Sequence, residues 1–280
     1  MTSPQVIQQP ALSQPSRSFE GARNYHQEVQ ALATRWWIEL RRDRLNLAFN
    51  LIQPAVWMVF FGTGVGRTVN RSVIGTDDYI AFMLPGIIAF TIVGNGVSSA
   101  MPLMWDKETG YLDKLMSMPI ARSTVIVSRF VFQLCLNSAQ VVIMLAVALA
   151  LDVRIAAGPV AVLLILGICG LLTLAFTAIF AAMAYRVANH GTFFAVTGFI
   201  TLPLLFMSNA FVPLNAMPQW MEVIARFNPL TYAITSMRTL VLDGWASSLL
   251  APVAVLAVVA AAFLAIGTFE FRRLTGERVR

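Results

Sequence analysis

The chain has 280 residues, of which 58% are hydrophobic and only 12% charged, and its mean hydropathy is +0.71. Soluble domains carry about a quarter charged residues, so this composition excludes a soluble globular protein. The net charge of +6 does not indicate nucleic-acid binding, because the basic residues flank apolar segments and form no patch on a soluble domain. Cys135 and Cys169 lie inside apolar segments, which favours buried small side chains over a disulfide or a metal pair.

The N-terminal part precedes the first apolar segment. Residues 1–18 are rich in Gln, Pro and Ser, and they predict a disordered cytoplasmic tail. Residues 19–45 predict an amphipathic helix lying in the membrane interface, with an apolar stripe of Val29, Leu32, Trp36 and Leu40. A soluble amphipathic helix has the same pattern, but the apolar segment that follows at once favours the interface.

Residues 46–273 predict a transmembrane domain, because crossing the hydrocarbon core takes about 20 predominantly apolar residues. We predict an all-α membrane protein with six transmembrane helices, at residues 46–66, 79–103, 123–151, 159–185, 192–212 and 249–271. Residues 274–280 are predicted to form a cytoplasmic tail.

The distribution of basic residues predicts the orientation. With both termini in the cytoplasm, the inside segments hold 15 of the 20 basic residues. The outside segments hold the other five: Arg67, Arg71, Arg154, Arg226 and Arg238. The positive-inside rule therefore predicts a multi-pass protein of the cytoplasmic membrane with both termini inside.

Two connections are long. The inside connection, residues 104–122, begins with charged residues, continues with Leu112, Leu115 and Met116 at helical spacing, and is broken at Met118-Pro119. A short surface helix of this kind would suit docking to a cytoplasmic partner, although an ordinary solvated connection is the alternative. The outside segment, residues 213–245, is too apolar for a solvated loop and predicts short re-entrant helices.

Amides inside the predicted helices are the main polar signal. Side chains of this kind are costly in the membrane unless they are partnered or face a polar path. They therefore either join helices by hydrogen bonds or line a substrate pathway or dimer face, and the sequence leaves both interpretations open. The residues are Asn50, Gln53, Asn95, Gln133, Asn137 and Gln140.

The sequence contains no recognisable catalytic or metal-binding motif. The run nearest to a phosphate-binding loop, GTGVGRTV at residues 62–69, lacks the lysine, and neither HExxH nor GxSxG occurs. Only two histidines are present, His26 and His190. We therefore expect no catalytic, metal or cofactor site on this chain, and an intramembrane hydrolase is a weak hypothesis.

Five segments, in this order, resemble the membrane subunit of type-2 ATP-binding cassette (ABC) exporters, which include daunorubicin-resistance and antibiotic or lipid export permeases. The first four read WWIELRRDRLNLAFNLIQPAVWMVFFG, DYIAFMLPGIIAF, WDKETGYLDKLMSMPIARSTVIVSR and SNAFVPLNAMPQWMEVIARFNPLTYAITSMR. The fifth is the closing single span with its basic tail, and together the five extend from Arg35 to Arg273.

The resemblance implies the roles of several segments. In that family two permease subunits form a dimer, which suggests a homodimer here, and two copies of an ATPase subunit bind the ATP and Mg²⁺. The segment that couples to the ATPase matches Asp106, Lys107, Glu108, Thr109, Gly110 and Leu112. The interfacial helix matches Trp36, Arg41, Arg42 and Arg44, and the extracellular re-entrant element matches Asn228, Pro229 and Tyr232.

The sequence thus favours the permease subunit of an ATP-driven exporter of a hydrophobic or amphiphilic molecule such as a drug, lipid or glycolipid. Its partners would be an ABC-type ATPase, a second permease copy and membrane lipids. A passive channel, or a membrane scaffold for another enzyme, is the alternative.

Overall fold

The computed structural model describes residues 23–64, 76, 78–117 and 122–277. These residues form helices joined by turns and short irregular connections, with no strand among them, so the predicted all-α class is confirmed. The helices are α1 Arg23–Arg42, α2 Arg44–Gly64, α3 Tyr79–Glu108, α4 Tyr111–Ser117, α5 Arg122–Ala150, α6 Pro159–Arg186, α7 His190–Phe206, α8 Gln219–Phe227, α9 Pro229–Leu242 and α10 Leu250–Glu277.

Six apolar helices lie at the predicted positions. Five of them (α2, α3, α5, α6 and α10) are long and apolar enough to cross a membrane, and α7 is a shorter apolar helix of 17 residues. A helix of that length covers about 25 Å, somewhat less than the thickness of a hydrocarbon core. The predicted end of the fifth span at residue 212 is therefore wrong. Helix α7 ends at Phe206 because the Asn228 amide donates hydrogen bonds to the carbonyls of Leu204 and Met207.

Other boundaries also differ from the prediction. Residues 104–108 continue α3 instead of opening the inside connection. Residues 274–277 of the predicted tail are helical, as the end of α10. The predicted helix 19–45 is divided, since α1 ends at Arg42 and α2 begins at Arg44. The predicted disordered tail (1–18), residues 65–66 of the first span, the Met118-Pro119 break and residues 278–280 lie outside the described residues.

Helices α3 and α6 form the centre of the bundle. Helix α3 packs against α2, α5, α6, α7 and α9. Within its most apolar stretch, 72% of the residues are buried inside the protein, whereas the corresponding shares for α2 and α10 are only 22% and 17%. Small residues permit the close approach: a Cβ on Gly96 of α3 would lie 3.0 Å from the Cβ of Phe176 in α6. Close contacts of this kind stabilise helix association in membranes, where the hydrophobic effect between helices is weak.

Helix α1 packs against protein along much of its apolar stripe. Val29, Ala33 and Trp36 are buried, and Trp36 forms a cluster with Phe132 and Leu136 of α5. The predicted stripe is therefore confirmed as a helical face, but it contacts α5 rather than only a lipid surface.

The bundle has two distinct ends. At the first, which we call the α1 end, α1 and α4 lie beside the C-terminus of α3, the start of α5 and the junction between α6 and α7. At the second, the α9 end, α9 lies beside the start of α3 and the connection from α5 to α6. The alternation of chain direction between these ends is what successive membrane spans require.

We predict that Gly267→Ala destabilises the protein by separating α10 from α6. A Cβ at residue 267 would lie 2.9 Å from the Ala178 carbonyl oxygen, which is backbone and cannot rotate away. Overpacking of this kind costs about 1–3 kcal/mol, and it should lower the thermal unfolding temperature of the detergent-solubilised chain. The matched control is Gly167→Ala in α6, where the added Cβ would meet no other part of the described chain within 4 Å. Equal stability of the two variants would contradict the assigned contact.

Candidate functional site

An ion pair joins α1 to the C-terminal part of α3. The Arg35 guanidinium donates two hydrogen bonds to the Asp106 carboxylate, at 2.8 and 3.3 Å. It also lies over the ring of Tyr111 in α4, with 4.3 Å to the centroid. Burial alone would lower the pKa of Arg35, but the hydrogen bond and charge of Asp106 outweigh it, and the pKa is raised. One side chain thus connects three helices.

Arg129 of α5 lies near this ion pair, since its guanidinium and that of Arg35 both contact the Trp36 ring. It is 5% exposed; its Nε donates to the Ser99 carbonyl at 2.8 Å, and its guanidinium lies 4.2 Å from the Trp36 ring centroid. In the described part of the chain its two terminal nitrogens donate no hydrogen bond, and no carboxylate lies within 4.0 Å of them. A buried arginine with incomplete hydrogen bonding is costly, which makes this residue a candidate for ligand binding.

The end of α3 also contacts the junction between α6 and α7. The Lys107 ammonium donates to the carbonyls of Tyr185 and Val187, both at 3.0 Å. The Glu108 carboxylate lies 2.8 Å from His190 Nδ1, at the first residue of α7. A displacement of the α3 end would therefore be transmitted to α7 as well as to α1.

Gly110 forms the corner between α3 and α4. Its φ of +72° lies in the left-handed region, where glycine has no steric penalty and other residues do. Thr109 and Gly110 are exposed, so the corner is accessible at the surface of the α1 end. Leu112 lies in α4, but its side chain is outside what the structure describes. The predicted coupling segment is thus two helices at a corner rather than one short helix.

The residues predicted for the interfacial helix separate into two groups. Arg41, Arg42 and Arg44 are exposed where α1 gives way to α2, whereas Trp36 is buried between the guanidiniums of Arg35 and Arg129. Trp36 is therefore part of the interior of the α1 end, and the arginines remain available to lipid or to a partner.

Four of the six predicted amides form one hydrogen-bonded network in the middle of the bundle. Asn95 of α3 donates to both Asn137 and Gln140 of α5, and Asn137 donates to Thr173 of α6 at 2.8 Å. Gln133 donates to Asn137, and Gln140 donates to the Asn50 carbonyl of α2. Hydrogen bonds thus join α2, α3, α5 and α6, as the helix-joining interpretation requires. Gln53 is exposed.

We predict that Asn137→Ala destabilises the bundle, because it leaves Asn95, Gln133 and Thr173 without this partner. Two of these three hydrogen bonds join helices, and the third, from Gln133, lies within α5. Interhelical hydrogen bonds in membranes are worth about 0.6 kcal/mol each on average, so losing two of them together with the bond within α5 should cost roughly 2 kcal/mol. Equilibrium unfolding in mixed detergent micelles measures this loss. Cys135→Ala, on the exposed side of the same helix, is the control. An Asn137→Ala variant as stable as that control would contradict the network's role.

Two cavities meet at this network. The α1-end cavity, about 360 Å³, lies between α1, α3 and α5 and is lined by Trp36, Glu39, Asp43, Trp105 and Arg129 among others. The α3 groove, about 440 Å³, lies between α2, α3 and α7, and most of its lining is apolar. Both cavities include Asn50, Asn95 and Ser98, so together they follow α3 from one end of the bundle towards the other.

The predicted re-entrant element forms a short helical hairpin at the α9 end. Asn228 is the N-cap of α9, accepting from the Leu230 amide at 3.0 Å, and Pro229 occupies the first helical turn, where its missing N–H costs nothing. The Tyr232 hydroxyl donates to the Arg226 carbonyl at 2.5 Å, which joins α9 to α8. Its extracellular location stays a prediction.

Sequence reasoning missed three arginines that the structure places at contacts. Arg35 and Arg129 organise the α1 end, and Arg238 of α9 donates to the carbonyls of Phe82 and Asn209 at the α9 end. The sequence does contain a signal for Arg129, because an ionisable residue inside an apolar span often marks a functional site. The orientation argument uses Arg129 only as one of the basic residues on the inside, which does not take that signal into account.

Comparisons with known proteins agree with this architecture. The family model of the ABC-2 type transporter matches residues 27–242. A protein of Porphyra purpurea named as the transport permease ycf38 is 34% identical over 214 residues, covering 76% of this chain and 73% of its own length. The doxorubicin resistance ABC transporter permease protein DrrC of Mycobacterium tuberculosis is 25% identical (78% and 76% covered). The daunorubicin resistance permease DrrB1 of Streptomyces coeruleorubidus is 26% identical (76% and 75% covered). With its six apolar helices and a family match over most of its length, the chain belongs to the ABC-2 type transporter family of membrane permeases.

Proposed function

We propose that this permease is the membrane subunit of an ATP-driven exporter in the cytoplasmic membrane, and that it moves a hydrophobic or amphiphilic molecule. Two ATPase subunits that bind ATP and Mg²⁺ would dock at the α1 end, and two permease copies would form the transporter. The names of the relatives, which describe resistance to doxorubicin and daunorubicin, support export of a molecule with large apolar surface.

One observation carries the coupling role of the α3 end. Three successive residues there contact three different parts of the bundle: Asp106 contacts α1, Lys107 contacts the carbonyls at the end of α6, and Glu108 contacts α7. A force on the adjacent Gly110 corner would therefore displace several helices together. Transporters use rigid-body changes of this type to alternate between two packings.

The course of the two cavities supports the proposed path. The α1-end cavity holds charged and aromatic side chains, and the α3 groove continues from it with a mainly apolar lining. An amphiphilic molecule could place its polar part in the first and its apolar part in the second. The predominance of basic residues on the segments of the α1 end supports placing that end in the cytoplasm.

Thiol labelling in intact cells tests this orientation. In a Cys135→Ser, Cys169→Ala background, a cysteine introduced at the exposed Thr109 should react with a membrane-impermeant reagent only after the cells are opened. A cysteine introduced at the exposed Trp220 of α8 should react in intact cells. Reaction of the Thr109 cysteine in intact cells would overturn the proposed docking of an ATPase there.

Co-purification tests the partnership. We expect the isolated chain to hydrolyse no ATP and the complex with its ATPase subunit to do so. A passive channel would instead conduct without nucleotide, and a scaffold would tolerate a scrambled sequence at residues 104–117. Either result would contradict the proposed function.

A further inference from the structure

We propose that the α1-end cavity binds the anionic headgroup of an amphiphile, a phosphate ester by its chemistry, at the Arg129 guanidinium. This assignment rests on the proposed function and narrows the substrate class to a molecule with a negatively charged head and an apolar chain. Three features of the described residues support it: the unused donors of Arg129, the basic residues beside the mouth of the cavity, and the apolar groove that continues from it.

Arg129 has hydrogen-bond donors that the described residues leave unused. It lines the cavity, is 5% exposed, and donates only from Nε, to the Ser99 carbonyl. The ring of Trp36 stacks against its guanidinium, and the indole N–H of that ring is also buried without a hydrogen-bond partner in the described part of the chain. Buried donors without acceptors are costly. A phosphate can accept from both terminal nitrogens of an arginine in a bidentate geometry.

The carboxylates around Arg129 leave this position open. Asp106 already accepts two hydrogen bonds from Arg35. Glu39 acts on Arg129 electrostatically, but it is exposed, and within the described ranges its carboxylate forms no ion pair with any residue. The charge of Arg129 is therefore only partly balanced by the protein, and a bound anion would complete the balance.

The mouth of the cavity has more basic than acidic side chains beside it. Arg41, Arg42 and Arg44 are exposed where α1 gives way to α2. The acidic residues there are Glu39 and Asp43, which line the cavity, and Asp43 already has a partner. Arg42 lines an adjoining groove on α1 together with both of them. An anion is thus attracted to this end of the bundle, whereas a cation would meet the exposed arginines first and a guanidinium inside.

The α3 groove provides room for an apolar chain. It shares Asn50, Asn95 and Ser98 with the cavity and continues towards Phe206 and Phe211 at the α9 end. A molecule with its headgroup at Arg129 can therefore place its chain along α3. This continuity favours an amphiphile over a free anion.

Calorimetric titration of the purified full-length chain in an uncharged detergent tests the site with probes that share one chain. The probes are decyl phosphate, decyl glucoside and decyltrimethylammonium, with inorganic phosphate as the anion without a chain. Decyl phosphate should bind at least about tenfold more tightly than each of the other three, the effect of one charge-assisted hydrogen bond or more. Equal or tighter binding of decyl glucoside, decyltrimethylammonium or inorganic phosphate would overturn the proposal.

Variants assign the binding to the guanidinium. Arg129→Gln keeps a donor for the Ser99 carbonyl but removes the charge, so it should weaken binding of decyl phosphate by about 10–100-fold. Its weaker binding of decyl glucoside should be unchanged, which also shows that the variant is folded. Glu39→Gln removes the carboxylate that competes with the ligand for Arg129, and it should strengthen binding. Arg154→Gln, at an exposed arginine between α5 and α6, is the control. Unchanged binding of decyl phosphate by Arg129→Gln, or weaker binding by Glu39→Gln, would contradict the proposal.

Thiol labelling locates the bound molecule without any change at Arg129. Ser98 is exposed and lines both the cavity and the α3 groove. In a Ser98→Cys variant of the Cys135→Ser, Cys169→Ala background, decyl phosphate should slow labelling severalfold at concentrations where the other two decyl compounds do not. Labelling of a Trp220→Cys variant at the α9 end should be unaffected. Equal protection by all three decyl compounds, or protection by none, would place the anion elsewhere and overturn the assignment.

The outcome is separable from that of the proposed function, because these measurements need no ATPase subunit. Selective binding together with a failure to couple to an ATPase would leave the site assigned and remove the transport role. Coupling without selective binding would do the reverse.

Discussion

Replacing Gly110 with proline should abolish the response of the permease to ATP while leaving membrane insertion intact. Gly110 has a φ of +72°, whereas proline fixes φ near −65°. A proline at this position therefore cannot adopt the backbone conformation of the corner between α3 and α4. The substitution also removes the N–H that Gly110 donates to the Lys107 carbonyl. Gly110→Ala keeps this N–H and adds only the strain of a left-handed residue, about 1–2 kcal/mol, so it should have a weaker effect.

A conformational measurement can read this result without knowledge of the substrate. Ser98 is exposed and lines both cavities, and a cysteine there, in the Cys135→Ser, Cys169→Ala background, would report changes in their accessibility. In nanodiscs that hold the permease and its ATPase, ATP should change the labelling rate severalfold. Gly110→Pro should remove this change, Gly110→Ala should reduce it, and Gly167→Ala should leave it intact. A normal response in Gly110→Pro would show that the corner transmits nothing.

Glu108→Ala should have a smaller effect than either substitution at Gly110. The Glu108 side chain is 47% exposed and that of His190 is 24% exposed. Even a fully charged pair at the surface is typically worth less than about 1 kcal/mol. The contacts of Asp106 and Lys107 remain in this variant. We therefore expect the labelling response to ATP to persist at reduced amplitude. A complete loss would show that the contact with α7 dominates transmission.

The helices of the bundle could be predicted from sequence because each consists of a long apolar segment. Their ends were harder to predict, because they depend on contacts distant in sequence. Helix α7 ends where Asn228 caps its carbonyls, and α3 continues to Glu108 because Asp106 and Lys107 find partners in α1 and α6. Neither partner can be identified from the local pattern of hydrophobic residues.

The amide network could be predicted in part, because the spacing of residues within one helix decides which of them share a face. The spacing of Gln133, Asn137 and Gln140 placed them on one face of α5, and the structure joins that face to Asn95. The sequence could not decide between a helix-joining network and a pathway, since that depends on which helices are neighbours. The roles of Arg35 and Arg129 depend on α1 folding back over α5, which no periodicity indicates.

Separating Arg35 from Asp106 should release α1 from the bundle and weaken transmission at the α1 end. The pair is bidentate, and the Asp106 side chain is only 10% exposed while that of Arg35 is 33% exposed. Asp106→Asn keeps the shape and removes the charge, leaving Arg35 with its ring contacts to Trp36 and Tyr111. Hydrogen bonds to charged groups contribute about 1.5–3 kcal/mol each. Because Arg35 is partly exposed, solvent screening reduces this contribution, and the variant should lose about 1–3 kcal/mol of the free energy that holds α1 against the bundle.

Hydrogen exchange measures this release where global unfolding would not. Amides of α1 should exchange about tenfold faster or more in Asp106→Asn, in proportion to that loss of local stability, while amides of α6 should be unaffected. A double-mutant cycle with Arg35→Gln isolates the pair from other effects of each substitution. The second substitution should add little once the first has broken the pair. Fully additive losses, or equal acceleration of exchange in α1 and α6, would mean that the ion pair does not hold α1 in place. The end of α3 would then be connected to the rest of the bundle only through Lys107 and Glu108.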